Sequence, residues 1–202
     1  VNPRFIPSKS VRQAIMMAMN TALIAENYYK GGLCELIYRP MSTPSWAYPT
    51  DATKPYYNYD STGYEIRALL EADGYQMGSD GIYKKNIEGF GEDRLGGQNY
   101  RMTIAGGSTD HPAYAMFLQA AKILNSAGME VKVVTSQTAL SDLSSGKLPI
   151  WAAAWSSTID PDMYQVYHMD SQASSTLNWG YKQIKAGKNS AAYSDEYTLI
   201  QE

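Results

Sequence analysis

In the second half of the chain, segments with the pattern of a β-strand alternate with segments whose apolar residues have the spacing of an α-helix. Residues 100–105 predict a short strand that ends at Gly106 and Gly107. Asp110 follows as a predicted N-cap, and the apolar positions after it are spaced three and four apart until Gly128, which predicts a long helix. These apolar positions are Ala113, Met116, Phe117, Ala120, Ile123 and Leu124.

Two more strands and a shorter helix follow. Residues 129–134 alternate apolar and charged side chains, with Met129, Val131 and Val133 on one face, and predict a strand. Residues 138–143 predict a short helix, and the apolar run 148–155 predicts a third strand. Strands joined by helices in this way are parallel, with right-handed crossovers. The predicted fold class is therefore α/β.

This arrangement predicts where a ligand would bind. In open parallel sheets, ligands lie beyond the carboxyl ends of the strands. Three loops leave that edge, at residues 106–110, 135–137 and 156–160, and they are rich in small hydroxyl and amide groups. Such groups suit hydrogen bonding to a neutral or zwitterionic ligand. In the first loop, Gly107, Ser108 and Asp110 are candidate contacts, with a flexible turn and helix cap as the alternative.

The first half of the chain predicts two helices. Ser8 or Ser10 caps the first helix, and Asp60 or Ser61 caps the second, which ends at Gly74. The predicted core positions are Val11, Ile15, Ala18 and Ala22 in the first helix and Tyr64, Ile66, Leu69 and Leu70 in the second.

The remaining segments predict loops and turns. Between the two helices, residues 31–59 contain four prolines and several aromatic residues, including Trp46, and predict an ordered loop packed over the domain. Trp46 is either a ligand contact or the aromatic that holds this loop in shape. Residues 77–97 predict turns and a hairpin around Gly81.

Composition excludes several classes of protein. The 202 residues have a net charge of -3, which gives no basic field for nucleic acid or an anionic membrane. No apolar run approaches the roughly 20 residues that span a bilayer. Cys34 is the only cysteine, so the chain has neither an internal disulfide nor a multi-cysteine metal site.

Catalytic interpretations are weaker than structural ones. Asp160, Asp162, His168 and Asp170 could be drawn as a hydrolytic metal site, but Pro161 favours Asp160 as the cap of a helix that starts at the proline. Such a helix would place Asp162 near its start and His168 at its far end, too far apart to bind one metal ion. Cys34 and Ser108 lack the sequence signature of an activated nucleophile. We therefore predict that the protein is not an enzyme and needs no cofactor or metal.

Several stretches resemble one protein family in order and spacing. They are VNPRFIPSKSVRQAIMMAMN (1–20), PSWAYP (44–49), YNYDSTGYEIRALLEADGY (57–75), the G-x-x-V-x-V-V pattern of 128–134 and the W-x-x-x-x-D-P-D pattern of 155–162. Together they resemble extracellular solute-binding proteins of ABC importers, family 5, the oligopeptide- and dipeptide-binding group.

The resemblance implies a fold, a location and partners. It implies a type II periplasmic-binding-protein-like lobe, with a mainly parallel sheet flanked by helices, that fills residues 1–202 and forms part of a longer two-lobed protein. Such a protein captures a peptide-like or other small polar solute and delivers it to ABC permease subunits. It lies in the periplasm, or as a lipoprotein outside the cell membrane. The alternatives are a metal-chelate (nickel-type) binding protein and a hydrolase.

The resemblance also implies site residues, with one departure. It favours Trp155, at the end of the third strand, as a ligand contact over a core tryptophan. Relatives often place an aspartate two or three residues after this tryptophan, where it pairs with a peptide amine, but here the residues are Ser157 and Thr158. Dipeptide specificity is therefore not implied, and sugars, amino-acid derivatives, longer peptides and metal chelates stay open. The predicted contacts are Trp155, Ala154, Ser156, Ser157, Thr158, Asp160, Gly107, Ser108, Asp110 and Trp46.

Overall fold

A computed structural model describes residues 1–30, 32–51, 57–104, 108–153, 160, 162–187 and 193–200. Helices and two small sheets alternate along these residues. The helices are α1 (Lys9–Met17), α2 (Thr21–Tyr28), α3 (Tyr64–Ala72), α4 (Pro112–Ser126), α5 (Ala139–Ser144), α6 (Tyr164–Tyr167), α7 (Ser174–Thr176), α8 (Lys182–Ala186) and α9 (Ser194–Leu199). The strands are β1 (Gln76–Met77), β2 (Tyr83–Ile87), β3 (Gly91–Arg94), β4 (Gly96–Ile104), β5 (Glu130–Thr135) and β6 (Ile150–Ala152).

The predicted parallel sheet is confirmed. It has three strands in the order β5-β4-β6, and both pairings of β4 are parallel. Met102 lies in register with Val133 on one side and with Ile150 on the other. The third strand is shorter than predicted, because Leu148 and Pro149 precede it and it ends at Ala152.

Helix α4 covers the buried face of this sheet. It contacts β4 and β5, and Phe117, Ala120 and Leu124 join Met102 and Ile104 in the core. The predicted cap was wrong by one residue. His111 is the N-cap, and its Nδ1 accepts a hydrogen bond from the Ala113 amide at 3.1 Å. Pro112 explains the shift, because its fixed φ suits the first helical position and leaves the preceding residue as the cap.

The first predicted helix is two helices. Ser8 caps α1, as predicted, and Val11, Ala14 and Ile15 are buried. Asn20 then caps a new helix, α2, by accepting a hydrogen bond from the Leu23 amide at 3.1 Å. Ala22 therefore lies on α2, where it is exposed, and does not share the buried face of α1. Asparagine favours caps over helix interiors, which accounts for the break.

Asp60 organises the turn before α3. Its carboxylate accepts hydrogen bonds from the amides of Thr62, Gly63 and Ile66 at 2.9 to 3.0 Å. Burial opposes its ionisation, but these hydrogen bonds outweigh burial and place the pKa of Asp60 below its ordinary value. Gly63 is the N-cap, so the prediction of Asp60 or Ser61 as the cap was wrong. Asp60 does, however, accept a hydrogen bond from the first turn of the helix, at the Ile66 amide.

The segment before β4 is more regular than predicted. The hairpin around Gly81 is confirmed, since β1 and β2 are antiparallel. A third antiparallel strand, β3, extends it into a sheet in the order β1-β2-β3. The fold is therefore α/β with an added antiparallel sheet. Within the described residues, no helix combines the length and apolar character needed to cross a bilayer.

A π-helical turn, Leu177–Tyr181, lies against the start of the chain. The Asn2 amide nitrogen donates to the Pro149 carbonyl at 2.8 Å, and the Asn2 side chain donates to the Asn178 carbonyl at 3.2 Å. Gly146, after α5, lies so close to this segment that a Cβ there would sit 2.2 Å from the Asn178 carbonyl oxygen. Residues from the start of the chain and from the turn at Asn178 thus both contact the segment that leads into β6.

Gly146→Ala should lower the free energy of unfolding more than Gly81→Ala does. Both glycines have left-handed φ angles, +71° and +77°, and a side chain in that region costs about 1 to 2 kcal/mol. Of the two, Gly146 also faces a backbone oxygen, and overpacking adds about 1 to 3 kcal/mol. Urea unfolding of both variants measures the difference, and equal losses would contradict the close approach of Gly146 to Asn178.

Candidate functional site

The three parallel strands end at one level. Ile104, the last residue of β4, lies in register with Thr135 at the end of β5 and with Ala152 at the end of β6. The chain therefore continues from the same edge of the sheet into residues 105–111, 136–138 and 153–163, of which the structure describes 108–111, 136–138, 153, 160, 162 and 163. We call this edge, with these three segments, the rim.

The strand order places a crevice at one point of the rim. The chain leaves β4 towards β5 on one side, and then crosses β4 to reach β6 on the other side. Right-handed crossovers in opposite directions put α4 and α5 on opposite faces of the sheet. The segments that lead into these two helices, after β4 and after β5, therefore diverge, and the edge where such segments diverge is where open α/β sheets bind ligands.

The face opposite α4 has its own aromatic contact. Trp151 shares the register of Thr103 and Val134, and its ring lies 5.8 Å from the ring of Trp179, centroid to centroid. The indole nitrogen of Trp179 donates to the Leu143 carbonyl of α5 at 2.8 Å. This contact holds α5 on the Trp151 face, as the crossover rule requires.

The described part of the first rim segment is exposed. Ser108 accepts a hydrogen bond through Oγ from the Asp110 amide at 3.2 Å, and both side chains face solvent. Among the described residues, no group donates a hydrogen bond to the Asp110 carboxylate. Ser108 and Asp110 are therefore available to a ligand, whereas Gly107 lies outside the described residues.

The second rim segment uses its hydroxyl groups internally. Ser136 Oγ and Thr138 Oγ1 are 3.0 Å apart, and Thr138 Oγ1 donates to the Asp142 carboxylate at 2.6 Å. The Thr138 amide also donates to Ser136 Oγ, at 3.2 Å. Because the hydroxyl groups of Ser136 and Thr138 already form hydrogen bonds within the segment, it offers fewer hydrogen-bonding groups to a ligand.

The third rim segment leads into a short helix. Asp160 accepts a hydrogen bond from the Asp162 amide at 3.1 Å, and Asp162 accepts one from the Tyr164 amide at 2.9 Å. The helix α6 starts at Tyr164, so the prediction of a helix that starts at Pro161 was wrong. In place of the first turn of the predicted helix, two successive aspartates each accept a hydrogen bond from the amide two residues further on. Across the described residues, no three His, Cys, Asp or Glu side chains lie close enough to hold a metal ion.

The other predicted contacts are not brought together by the described structure. Trp46 lies within residues 32–51 with 85% of its surface exposed, so it does not serve as the packed aromatic of that loop. Five of the predicted contacts after β6 fall outside the described residues and stay predictions: Ala154, Trp155, Ser156, Ser157 and Thr158.

Comparison with known proteins identifies the family. A model of the bacterial extracellular solute-binding proteins, family 5, middle region, matches residues 3–176. The chain belongs to this family. Family 5 chains are extracellular and bind solutes, in agreement with the resemblance drawn from the sequence.

The relatives show the fold and the extent of the match. The oligopeptide-binding protein AppA of Bacillus subtilis is 28% identical over 95% of this chain and 36% of its own length. The AppA structure with a nonapeptide has a TM-score of 0.68 and 24% identity, over 99% of this chain and 40% of AppA. NikZ of Campylobacter jejuni, bound to Ni(L-His), has a TM-score of 0.66 and 20% identity, over 100% of this chain and 40% of NikZ. The fold is that of type II periplasmic binding proteins, and the chain spans well under half of these relatives.

Sequence reasoning missed two contacts in this family 5 chain. The ring of Tyr164 stacks on that of His168, with centroids 4.6 Å apart, and Thr138 bonds to Asp142. Both pairs are spaced i, i+4, a spacing at which side chains meet on a helix, so the sequence did contain the signal. His168 is therefore occupied by a ring contact, and its Nδ1 accepts a hydrogen bond from the Asp170 amide at 3.0 Å.

A buried acid lies away from the rim, between the two sheets of this family 5 chain. Asp93 of β3 is 3% exposed and accepts hydrogen bonds from the hydroxyl groups of Tyr75, at 2.7 Å, and Tyr100, at 3.2 Å. Burial raises the pKa of Asp93 above its ordinary value, although the two hydroxyl groups and Lys85 favour the carboxylate. Burial and the nearby Asp93 likewise raise the pKa values of Tyr75 and Tyr100. This cluster joins the antiparallel sheet to β4.

Asp93→Asn should reduce the loss of stability that accompanies rising pH. An acid with a raised pKa in the folded state keeps its proton longer than the unfolded chain does, so its contribution is present below the ordinary aspartate pKa and is lost as the pH rises through the raised pKa. Asparagine stays neutral at every pH and removes this term. Urea unfolding at several values between pH 4 and pH 8 measures the slope, with Glu88→Gln as an exposed control. Identical slopes for the native protein and Asp93→Asn would contradict a raised pKa.

Proposed function

We propose that this chain is a ligand-facing lobe of the substrate-binding component of an ABC importer, and that the whole protein captures a peptide-like or other small polar solute outside the membrane. The observation that supports this most is the 28% identity, over 95% of the chain, to a protein named for oligopeptide binding. The whole protein would deliver its solute to permease subunits and catalyse no reaction.

All but one of the proposed contacts belong to the rim segments by their position in the sequence. Trp155 would stack on the solute, Ala154 and Ser156 would offer main-chain groups, and the hydroxyl groups of Ser157 and Thr158 would replace the charged partner of a peptide amine. The further proposed contacts are Gly107, Ser108, Asp110, Asp160 and Trp46. A second lobe would close over these residues about a hinge and exclude water, as in other two-lobed binding proteins.

A metal chelate is the second candidate solute. Two proteins of the same fold are described with chelated metals, NikZ with Ni(L-His) and NikA of Brucella suis with Fe(III)-EDTA, the latter at a TM-score of 0.58 and 20% identity. A chelate brings its own ligands to the metal, so it needs few metal-binding side chains from the protein.

Calorimetric titration of the full-length protein should separate these candidates. We expect a peptide of two to nine residues to bind with a Kd at or below about 10 μM, equivalent to roughly 7 kcal/mol, and nickel–histidine to bind more weakly. Trp155→Ala should weaken peptide binding about tenfold or more, the effect of losing a buried aromatic anchor.

The matched control is Tyr64→Ala, which removes an exposed aromatic at the opposite end of the fold. Tyr64 follows Gly63, and a Cβ at Gly63 would lie 3.1 Å from the Cβ of Ala127. Ala127 comes just after the last turn of α4, at the end of that helix away from the rim. The control should bind like the native protein. Tight binding of nickel–histidine with no binding of any peptide would contradict the peptide proposal and support the chelate.

A further inference from the structure

Asp93, at the contact between the antiparallel sheet and β4, is a buried carboxylate without a cation beside it. It is 3% exposed, and its two oxygens accept hydrogen bonds from the hydroxyl groups of Tyr75 and Tyr100. Within the described part of the chain, none of the ion pairs includes Asp93. Moving a carboxylate out of water is costly unless a cation or several hydrogen bonds compensate. The charge of Asp93 therefore opposes the packing around it.

The charged groups around Asp93 do not supply that compensation. Besides the two tyrosines, the groups whose charge acts on this cluster are Lys85 of β2, Asp73 after α3, Arg12 of α1 and Tyr193 before α9. Lys85 Nζ lies 3.1 Å from the Asp73 carboxylate and bonds to it. Arg12 bonds to Glu196 and to two backbone carbonyls. Both cations are thus bound to other acceptors, and neither forms an ion pair with Asp93.

A second buried acid in the same chain shows what full compensation requires. Asp60 is 6% exposed, and its carboxylate accepts hydrogen bonds from three backbone amides and from the Thr62 hydroxyl group. These hydrogen bonds place the pKa of Asp60 below its ordinary value, whereas burial outweighs the two hydrogen bonds at Asp93 and raises the pKa of that acid. Asp93 therefore keeps its proton to a higher pH than Asp60 does.

The acid and its two donors belong to different parts of the fold. Asp93 lies in the antiparallel sheet, and we call residues 76–95, which contain that sheet, the antiparallel unit. Tyr75 comes just before this unit, and its amide donates to the Leu70 carbonyl of α3 at 3.0 Å. Tyr100 comes after the unit, on β4. The hydrogen bonds of Asp93 therefore join the antiparallel unit to the rest of the fold.

The chain on both sides of the antiparallel unit is suited to a hinge. Gly74 and Gly97 flank the unit, with left-handed φ angles of +91° and +87°, a region that glycine enters at no steric cost. The pairing of β4 with β5 also shifts register between Gly96 and Arg101, so the first half of β4 does not continue the ladder of the parallel sheet. The unit can therefore move without breaking the pairs that residues 102–104 form with β5 and β6.

Other contacts hold the antiparallel unit whatever the protonation state of Asp93. Tyr83 and Leu95 are buried in the hydrophobic core. The Tyr83 amide donates to the Gly128 carbonyl at 2.9 Å, and the Glu130 amide donates to the Leu95 carbonyl at 2.9 Å. These contacts keep the unit docked in the folded chain, so the charge of Asp93 changes only how often the unit opens.

We propose that Asp93 is a proton-operated latch, whose ionisation lets the antiparallel unit separate from Tyr75 and Tyr100 while the parallel sheet stays folded. In the open form the carboxylate reaches water, so the cost of burying its charge disappears. An acid whose pKa is raised in the closed form favours closure below the ordinary aspartate pKa, and this contribution is lost as the pH rises through the raised pKa. Opening therefore becomes more frequent at higher pH. The latch concerns the folded chain alone and does not depend on the proposed function.

Native-state hydrogen exchange of the full-length protein tests the latch at two amides. The amides of Tyr83 and Glu130 bond between the antiparallel unit and the segment 128–130, so each is freed when the unit opens. Exchange is followed by mass spectrometry with single-residue resolution, between pH 4.5 and pH 7.5 and at urea concentrations below the unfolding transition. Division by the intrinsic exchange rate at each pH gives the opening equilibrium constant.

We expect the opening constant at Tyr83 and Glu130 to rise at least about threefold from pH 4.5 to pH 7.5. It should change little with urea, because a local opening exposes little surface. The amides of residues 102–104 should instead respond strongly to urea, because they exchange through global unfolding.

Three variants test the source of the pH dependence. Asp93→Asn keeps the shape of the side chain and removes the charge, so opening should become independent of pH. Tyr100→Phe removes one donor to the carboxylate, so opening should depend on pH more steeply than in the native protein. The matched control is Asp60→Asn, which changes the other buried acid. Because the lowered pKa of Asp60 keeps it ionised across this range, the control should keep the native pH dependence of opening.

Three results would overturn the latch. If the amides of Tyr83 and Glu130 shared the urea dependence of residues 102–104, the antiparallel unit would have no opening of its own. If the pH dependence survived in Asp93→Asn, another group would control the opening. If Tyr100→Phe had a pH dependence no steeper than that of the native protein, the Tyr100 hydroxyl group would not hold the carboxylate.

Discussion

The alignment of β4 with both neighbours is the constraint on which the rest of the structure depends. Parallel strands require buried faces and long crossovers, so fixing β4 between β5 and β6 also fixes α4 on one face and α5 on the other. Because Ile104, Thr135 and Ala152 end at one level, all three following segments begin at the same edge. A slip of one residue would turn Met102 and Ile104 out of the core and expose Thr103 to the apolar side.

Distant parts of the chain hold the shortest strand in place. β6 has three residues, and the backbone of Asn2 bonds to Pro149 just before it. The start of the chain is in turn held by Tyr193, whose hydroxyl group donates to the Pro3 carbonyl at 2.7 Å, and by an ion pair between Arg12 and Glu196. The third rim segment thus begins from a strand whose position depends on residues nearly 200 positions apart in sequence, so changes far from the rim can affect solute binding.

The sequence predicted the elements with a strong period and missed details that depend on tertiary contacts. The spacing from Ala113 to Leu124 predicted α4, and the alternation around Val131 predicted β5, because each pattern repeats over several turns or pleats. The break at Asn20 and the cap at His111 followed from single residues within longer patterns, so the periodicity concealed them. The burial of Asp93 could not be predicted, since its partners Tyr75 and Tyr100 lie outside its own strand, 18 and 7 residues away, and meet it only when the two sheets pack together. For the rim, strand order predicted the three segments, whereas the internal bonding of Ser136 and Thr138 required side-chain geometry.

Hydrogen–deuterium exchange of the full-length protein, with and without a bound solute, tests the location of the site most directly. Solute bound at the contacts proposed in the segments after β4 and β6 should slow exchange at residues 105–111 and 153–163. Residues 127–130 and 145–149, at the opposite edge of the sheet, should be unchanged. Slower exchange confined to that opposite edge or to the antiparallel sheet, with no change in the two rim segments, would contradict the assignment of the solute site to the carboxyl edge.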